Sequence, residues 1–122
     1  MKFLLVEDNG ILAEGVRMAL EDEGHTVIVC STGRPAVGLV INHKPDAVIL
    51  DISLPDIDGV QVAKFIRIDH PKLPIIFASG HDRDQPRLTE SLDRKTAILR
   101  KPYPIAALLE TVHRLMTGTS SA

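Results

Sequence analysis

The sequence predicts an α/β fold: a doubly wound, five-stranded parallel sheet with helices on both faces. Five short apolar runs, at 3–6, 26–30, 47–50, 74–78 and 96–99, do not alternate with polar residues. Continuous runs of that length suit strands covered on both sides. Stretches with helical spacing of apolar residues separate the runs, and strand–helix alternation gives parallel strands joined by crossovers. The length, 122 residues with 44% hydrophobic and 25% charged side chains, is that of one domain able to bury a core without staples.

The first run ends after four residues at Glu7-Asp8, too short for the apolar segment of a signal sequence, so it reads as a buried strand. Asn9 is placed to cap a helix in which Leu12, Val16, Ala19 and Leu20 share a face. Glu21, Asp22 and Glu23 then read as a solvated helix end. The second run carries Cys30, the single cysteine, which excludes an internal disulfide and suits a small core side chain. A second helix over 35–43 follows, with Gly38 inside it. The third run leads into Asp51, and Val62, Ala63 and Ile66 line one face of the next helix. The fourth helix falls somewhere in 84–93, where Pro86 intervenes and only Leu88 and Leu92 form an apolar pair. Pro104 suits the first turn of the last helix, whose apolar face is Leu108, Val112, Leu115 and Met116. Residues 118–122 are expected to form a flexible tail on a domain spanning 1–117.

Charge narrows the function. A formal net charge of −2 offers no broad basic field for nucleic acid. No apolar stretch approaches the ~20 residues that span a bilayer, so a cytoplasmic protein without membrane contact is expected. His25, His43, His70 and His113 show no ligand spacing and are expected at the surface, with no zinc or haem site.

In open α/β sheets, ligands bind at the carboxyl ends of the strands where strand order reverses. The first, third, fourth and fifth runs end in Glu7-Asp8, Asp51, Ser79-Gly80 and Arg100-Lys101-Pro102. A sheet ordered 2-1-3-4-5 would gather three carboxylates, a hydroxyl and an ammonium into one shallow pocket. Acids that close repel one another and push at least one pKa upward. A hard cation relieves this, and Mg²⁺ (or Mn²⁺) takes one or two carboxylates while bridging readily to phosphate. A carboxylate nucleophile beside a cation and a lysine is the arrangement that forms an aspartyl phosphate. Singly, each residue has a plainer reading: Asp8 as a cap, Asp51 as a loop acid before Pro55, Ser79 and the Lys-Pro pair as commonplace. Their joint placement, each at the end of its own strand, favours function.

These motifs resemble the receiver domains of bacterial response regulators, the family of the chemotaxis response regulator. The matching pieces are Leu5-Val6-Glu7-Asp8-Asn9, Leu50-Asp51 through Leu54-Pro55-Asp56-Ile57-Asp58-Gly59, Ala78-Ser79-Gly80 and Leu99-Arg100-Lys101-Pro102-Tyr103, spread over about residues 2–116. The resemblance implies a flavodoxin-like fold with five helices and Asp51 as phosphoacceptor. It implies Asp8 and Asp51 as metal ligands, joined by Glu7 directly or through water and by the backbone carbonyl of Ser53. It implies Ser79 and Lys101 on the phosphoryl oxygens, a cis Lys101-Pro102 bond, and Gly59 permitting a tight turn into the third helix. The donor would be a sensor histidine kinase or a histidine phosphotransfer protein docking near the first helix. A downstream protein would read the face of the fourth helix, fifth strand and fifth helix, and a phosphorylation-dependent dimer is compatible with this.

Departures from the family pattern bear on signalling. Ile98 stands where an aromatic switch residue is frequent in the family, so a loop-based or different readout is expected in place of a swinging ring. Tyr103 could partly serve, or could simply be a packed ring with a wet hydroxyl. The stretch 82–94 is polar, and Glu7 replaces a first aspartate. Ser53 and His81 occupy the positions that tune phosphate lifetime, though a solvated loop histidine is the plainer reading of His81.

Three rival readings were set beside this one. A pseudo-receiver binding a partner without phosphorylation is disfavoured by the retained Glu7, Asp8, Asp51, Ser79 and Lys101. A small aspartyl phosphatase would place an acid where Ser53 stands. A flavodoxin-like electron carrier would meet repulsion between Glu7-Asp8 and the flavin phosphate, with aromatics at only 3%. The expected chain catalyses only its own phosphorylation and dephosphorylation.

Overall fold

A computed structural model of the chain describes residues 1–90 and 92–117. The predicted tail, 118–122, lies outside the described residues. The order of elements is β1 (Lys2–Val6), α1 (Gly10–Asp22), β2 (Thr26–Cys30), α2 (Arg34–His43), β3 (Ala47–Asp51), α3 (Gly59–Asp69), β4 (Ile75–Ser79), a 3₁₀ turn (Asp82–Asp84), α4 (Gln85–Glu90), β5 (Thr96–Arg100) and α5 (Ile105–Thr117). All strand pairings are parallel and the sheet order is β2-β1-β3-β4-β5, as expected. The reversal of strand order lies at β1, between β2 and β3.

Two apolar layers sandwich the sheet. Alternate strand residues face opposite ways. Phe3, Leu5, Ala47, Ile49 and Ile76 pack against Ala13, Val16 and Leu20 of α1 and Leu108 and Val112 of α5. Leu4, Val6, Val48, Leu50, Ile75 and Phe77 pack against α2, α3 and Leu88 of α4. Every residue of β3 and β4 is buried, which is why those runs carry no polar alternation.

Several boundaries and faces differ from expectation. Pro74 precedes β4; it has no N–H to give the ladder, though its carbonyl accepts the Val48 amide at 2.9 Å. β3, β4 and β5 each run one residue further, to Asp51, Ser79 and Arg100. In α1 the fully buried stripe is Ala13, Val16 and Leu20, with Leu12 and Ala19 at its margins. In α5, Thr111 is buried and donates its hydroxyl to the Ala107 carbonyl at 2.8 Å, while Met116 is exposed. Leu92 is likewise exposed and lies beyond α4. Pro104 stands just ahead of α5, its carbonyl accepting the Leu108 amide.

Two histidines depart from the surface placement. His25 is half-buried, edge-on to Phe3 with ring centroids 5.3 Å apart. His70 is half-buried, and its Nε2 has no hydrogen-bond partner among the described residues.

At the opposite edge of the sheet from the strand ends discussed above, Arg67 ties α3 to the start of β5. Its guanidinium pairs with Asp93 at 2.9 Å and donates to the His70 and Lys95 carbonyls, each at 3.0 Å, and to Thr96 Oγ1 at 2.9 Å. A flexible ammonium lacks the planar fork that serves all of these acceptors together. Arg67→Met is expected to lower unfolding stability by about 1–3 kcal/mol in urea titration, and Arg67→Lys to recover less than half of that loss. A loss within error for Arg67→Met would show that these bonds contribute nothing net.

Candidate functional site

The parallel register sets the geometry before any side chain is considered. Val6 pairs with Leu50, and Asp51 pairs with Ala78, so Glu7, Asp51 and Ser79 leave neighbouring strands at one level. Burial then confines them: Glu7, Asp51 and Ser79 are 4%, 3% and 0% exposed, whereas Asp8 faces solvent. Carboxylate oxygens of Glu7, Asp8 and Asp51 lie within 4.8 Å of one another, close enough for all three to hold a single ion.

Lys101 reaches across this cup from the end of β5. Its Nζ lies 2.9 Å from Glu7 Oε1 and 3.4 Å from Asp51 Oδ2. The Lys101 amide donates to the Ser79 carbonyl at 2.7 Å, which fixes the segment bearing the lysine, and the Lys101-Pro102 bond is cis, as the resemblance implied. Backbone amides supply two more contacts, Asn9 N–H to Glu7 Oε2 at 3.1 Å and Ser53 N–H to Asp51 Oδ1 at 3.2 Å.

One ammonium cannot balance the buried acids. Burial, and then a hydrogen bond and repulsion from Glu7, push Asp51 up to about 7, against the opposing pull of Lys101 and the Ser53 amide. Burial works against the charge on Lys101, but the Glu7 hydrogen bond and the attraction of both acids hold it above the usual lysine value. Tyr103 belongs to the same electrostatic unit. Its half-buried ring packs with the α1/α5 layer, and burial together with the charges on Glu7 and Asp51 raises its hydroxyl above the ordinary range.

The loop after Asp51 is held by acids whose structural work the sequence reading did not assign. Asp58 caps α3, its Oδ1 accepting the Val60 amide at 2.8 Å. Asp56 accepts the Gly33 and Arg34 amides, both at 2.8 Å, and so caps α2 from another loop. Gly33 has no side chain with which to cap α2. Those amide bonds hold Asp56 below its ordinary pKa. The signal for Asp58 was present, an acid directly before a helix; a cap supplied from 22 residues away leaves no local trace.

Gly59 serves differently from expectation. Its φ is not in the left-handed region, so a tight turn is not the reason for glycine. A Cβ there would stand 2.4 Å from the Asp51 carbonyl oxygen and 2.7 Å from the Ile52 Cα. The start of α3 therefore rests directly on the backbone of the central acid.

Ser79 lies beside the cup, but its hydroxyl bonds to its own loop, to the His81 carbonyl at 3.0 Å and Asp84 Oδ2 at 3.3 Å. Asp84 was not singled out from the sequence. Ser53 is exposed, and its amide donates to Asp51. Ile98 is half-buried and packs against the α2/α3 layer.

Comparison with known proteins agrees with this architecture. Residues 3–113 match the family described as the response regulator receiver domain. The chain is 30% identical over 120 residues to the response regulator MprA of Mycobacterium sp. (strain KMS), covering 98% of this chain and 52% of that protein. It is 30% identical to the transcriptional regulatory protein TrcR of Mycobacterium tuberculosis, covering 98% of this chain and 47% of that one. It thus spans about half the length of these relatives. Among solved structures, a response regulator receiver protein from Sinorhizobium medicae aligns with a TM-score of 0.84 at 30% identity, covering 96% of this chain and 94% of that chain. The receiver domain of the Francisella response regulator 1452 aligns at 0.82 with 25% identity, covering 98% of each chain. No helix among the described residues is long and apolar enough to cross a membrane.

Two outcomes follow from the site. The folded-state pKa of Asp51 is raised, so its contribution to stability is present below about pH 4 and is lost as pH rises through about 7. The metal-free chain should lose on the order of 2 kcal/mol between pH 5 and 8 from this group, and Asp51→Asn should flatten that slope in parallel denaturations. A wild-type chain that gains stability over the same range would contradict the sign. Separately, Gly59→Ala should cost about 1–3 kcal/mol by overpacking against backbone. An unchanged denaturation midpoint would show that α3 shifts freely.

Proposed function

This chain belongs to the response regulator receiver domain family, and from that membership we propose that Asp51 accepts a phosphoryl group from a histidine kinase or a histidine phosphotransfer protein. The observation that carries the reading is the Lys101 ammonium set 2.9 Å from Glu7 and 3.4 Å from Asp51 over three mutually close carboxylates. That donor set fits a hard divalent cation: all oxygen, two acids buried, and one of them raised in pKa by burial and then by its neighbour.

Glu7, Asp8 and Asp51 would hold Mg²⁺ or Mn²⁺, with the Ser53 carbonyl as a further ligand. When bound, the ion supplies charge neutralisation for the acids and for the incoming phosphoryl oxygens. The rest falls to the chain. An Asp51 carboxylate oxygen attacks phosphorus, the P–N bond of the donor phosphohistidine breaks, and the imidazole departs with the electron pair. Lys101, already straddling Glu7 and Asp51, turns its ammonium to an equatorial phosphoryl oxygen, and Ser79 donates to another. Water later cleaves the acyl phosphate and restores the carboxylate.

The new charge, near −2, biases a two-state equilibrium of the loop after β4, and the surface of α4, β5 and α5 changes its affinity for a protein partner. Residues 1–117 act as one receiver unit, in the cytoplasm, and turn over no metabolite. The regulatory output of the longer relatives is a separate matter from this phosphoryl acceptance.

Incubation with acetyl phosphate and Mg²⁺, followed by intact mass measurement, tests the reading. Wild type should gain one phosphoryl group, Asp51→Asn none, and excess chelator should prevent the gain. Equal labelling of both chains, or no labelling of wild type, would overturn it.

A further inference from the structure

Ser79 is fully buried at the end of β4, one residue past the pairing of Asp51 with Ala78. None of its hydroxyl's recorded hydrogen bonds goes to Glu7, Asp8, Asp51 or Lys101. The hydroxyl instead accepts the His81 amide at 3.3 Å and faces two acceptors on the loop ahead, the His81 carbonyl at 3.0 Å and Asp84 Oδ2 at 3.3 Å. A serine hydroxyl has a single proton, so the two acceptors share it. The 3₁₀ turn Asp82–Asp84 is what carries a carboxylate back over the strand end, five residues after the serine.

We propose that Asp84 is a positioning residue that holds the Ser79 hydroxyl on its own loop in the resting chain. Ser79 then reaches a phosphoryl group on Asp51 by giving up Asp84. This rests on the phosphoacceptor reading of Asp51. The two destinations for the proton are both anionic oxygens, one on the loop and one created by phosphorylation, so they compete for the same donor. Removing the Asp84 carboxylate leaves, among the described residues, the neutral His81 carbonyl as the acceptor that retains the hydroxyl. Turning toward the phosphoryl group then costs less, and the phosphorylated arrangement is favoured.

Beryllofluoride with Mg²⁺, a stable mimic of an aspartyl phosphate, measures this by calorimetry on the full chain. Asp84→Ala should bind it about three- to tenfold tighter than wild type, the range of one net hydrogen bond. Ser79→Ala should bind more weakly, and adding Asp84→Ala to it should change nothing further. Circular dichroism checks that each variant is folded. Asp84→Asn, which keeps the shape and loses the charge, carries the test with a smaller gain if the alanine variant unfolds. Unchanged or weaker binding by the Asp84 variants, or the same gain without the Ser79 hydroxyl, overturns the proposal. If wild type fails to bind beryllofluoride, or Asp51→Asn binds it equally, the phosphoacceptor reading itself falls and this inference with it. Asp51-dependent binding that ignores Asp84 removes this inference alone.

Discussion

The imbalance between one ammonium and the acids around it organises the site. Lys101 sits between Glu7 and Asp51, but both are buried, and a lone cation cannot neutralise them together. The result is an acid, Asp51, that is raised to about 7 and is therefore costly to ionise. A surface cluster of the same composition would be relaxed by water. Here the sheet holds the groups in place, because each is attached to a strand whose apolar residues are locked between two helical layers. The stability of the core thus underwrites a local electrostatic tension of the kind that the proposed cation and phosphoryl sites would use.

Backbone contacts transmit that arrangement outward. Gly59 rests against the Asp51 carbonyl, Asp56 is captured by the start of α2, and Asp58 caps α3. The loop after the central acid is consequently pinned at three points. On the far side of the cup, the amide of Lys101 is tied to the carbonyl of Ser79. The contrast lies in the segment after β4, where, among the described residues, the hydrogen bonds of the Ser79 hydroxyl stay within its own loop. A loop pinned to its neighbours on one side faces, on the other, a loop whose serine hydroxyl is bonded within the loop itself.

Strand positions and their order were legible because both-face burial leaves continuous apolar runs, and the convergence of Glu7, Asp8, Asp51, Ser79 and Lys101 followed from topology alone. What stayed hidden depends on partners distant in sequence or on shape. Asp56 caps a helix 22 residues away, and no local pattern reports that. Gly59 is a glycine for want of space against the backbone of Asp51 and Ile52, which sequence cannot distinguish from a turn requirement. Thr111 is buried because its hydroxyl returns to the helix carbonyl at Ala107, so a hydrophobicity count passes over it. Within the weakest helical pattern, 84–93, the helix covers only Gln85–Glu90, preceded by a 3₁₀ turn at Asp82–Asp84. There the Ser79–Asp84 contact, and not periodicity, is the informative feature.

The placement of Tyr103 has an optical consequence. The chain contains one tyrosine and no tryptophan. That single ring lies within the field of Glu7 and Asp51, two residues after the lysine in sequence. Under tyrosine excitation the emission of this chain is accordingly a one-site signal from beside the acidic cup, since its three phenylalanines absorb at shorter wavelength. A change in the charge of those carboxylates is expected to alter the signal of this native chromophore, so neither a dye nor an engineered probe is needed to follow it.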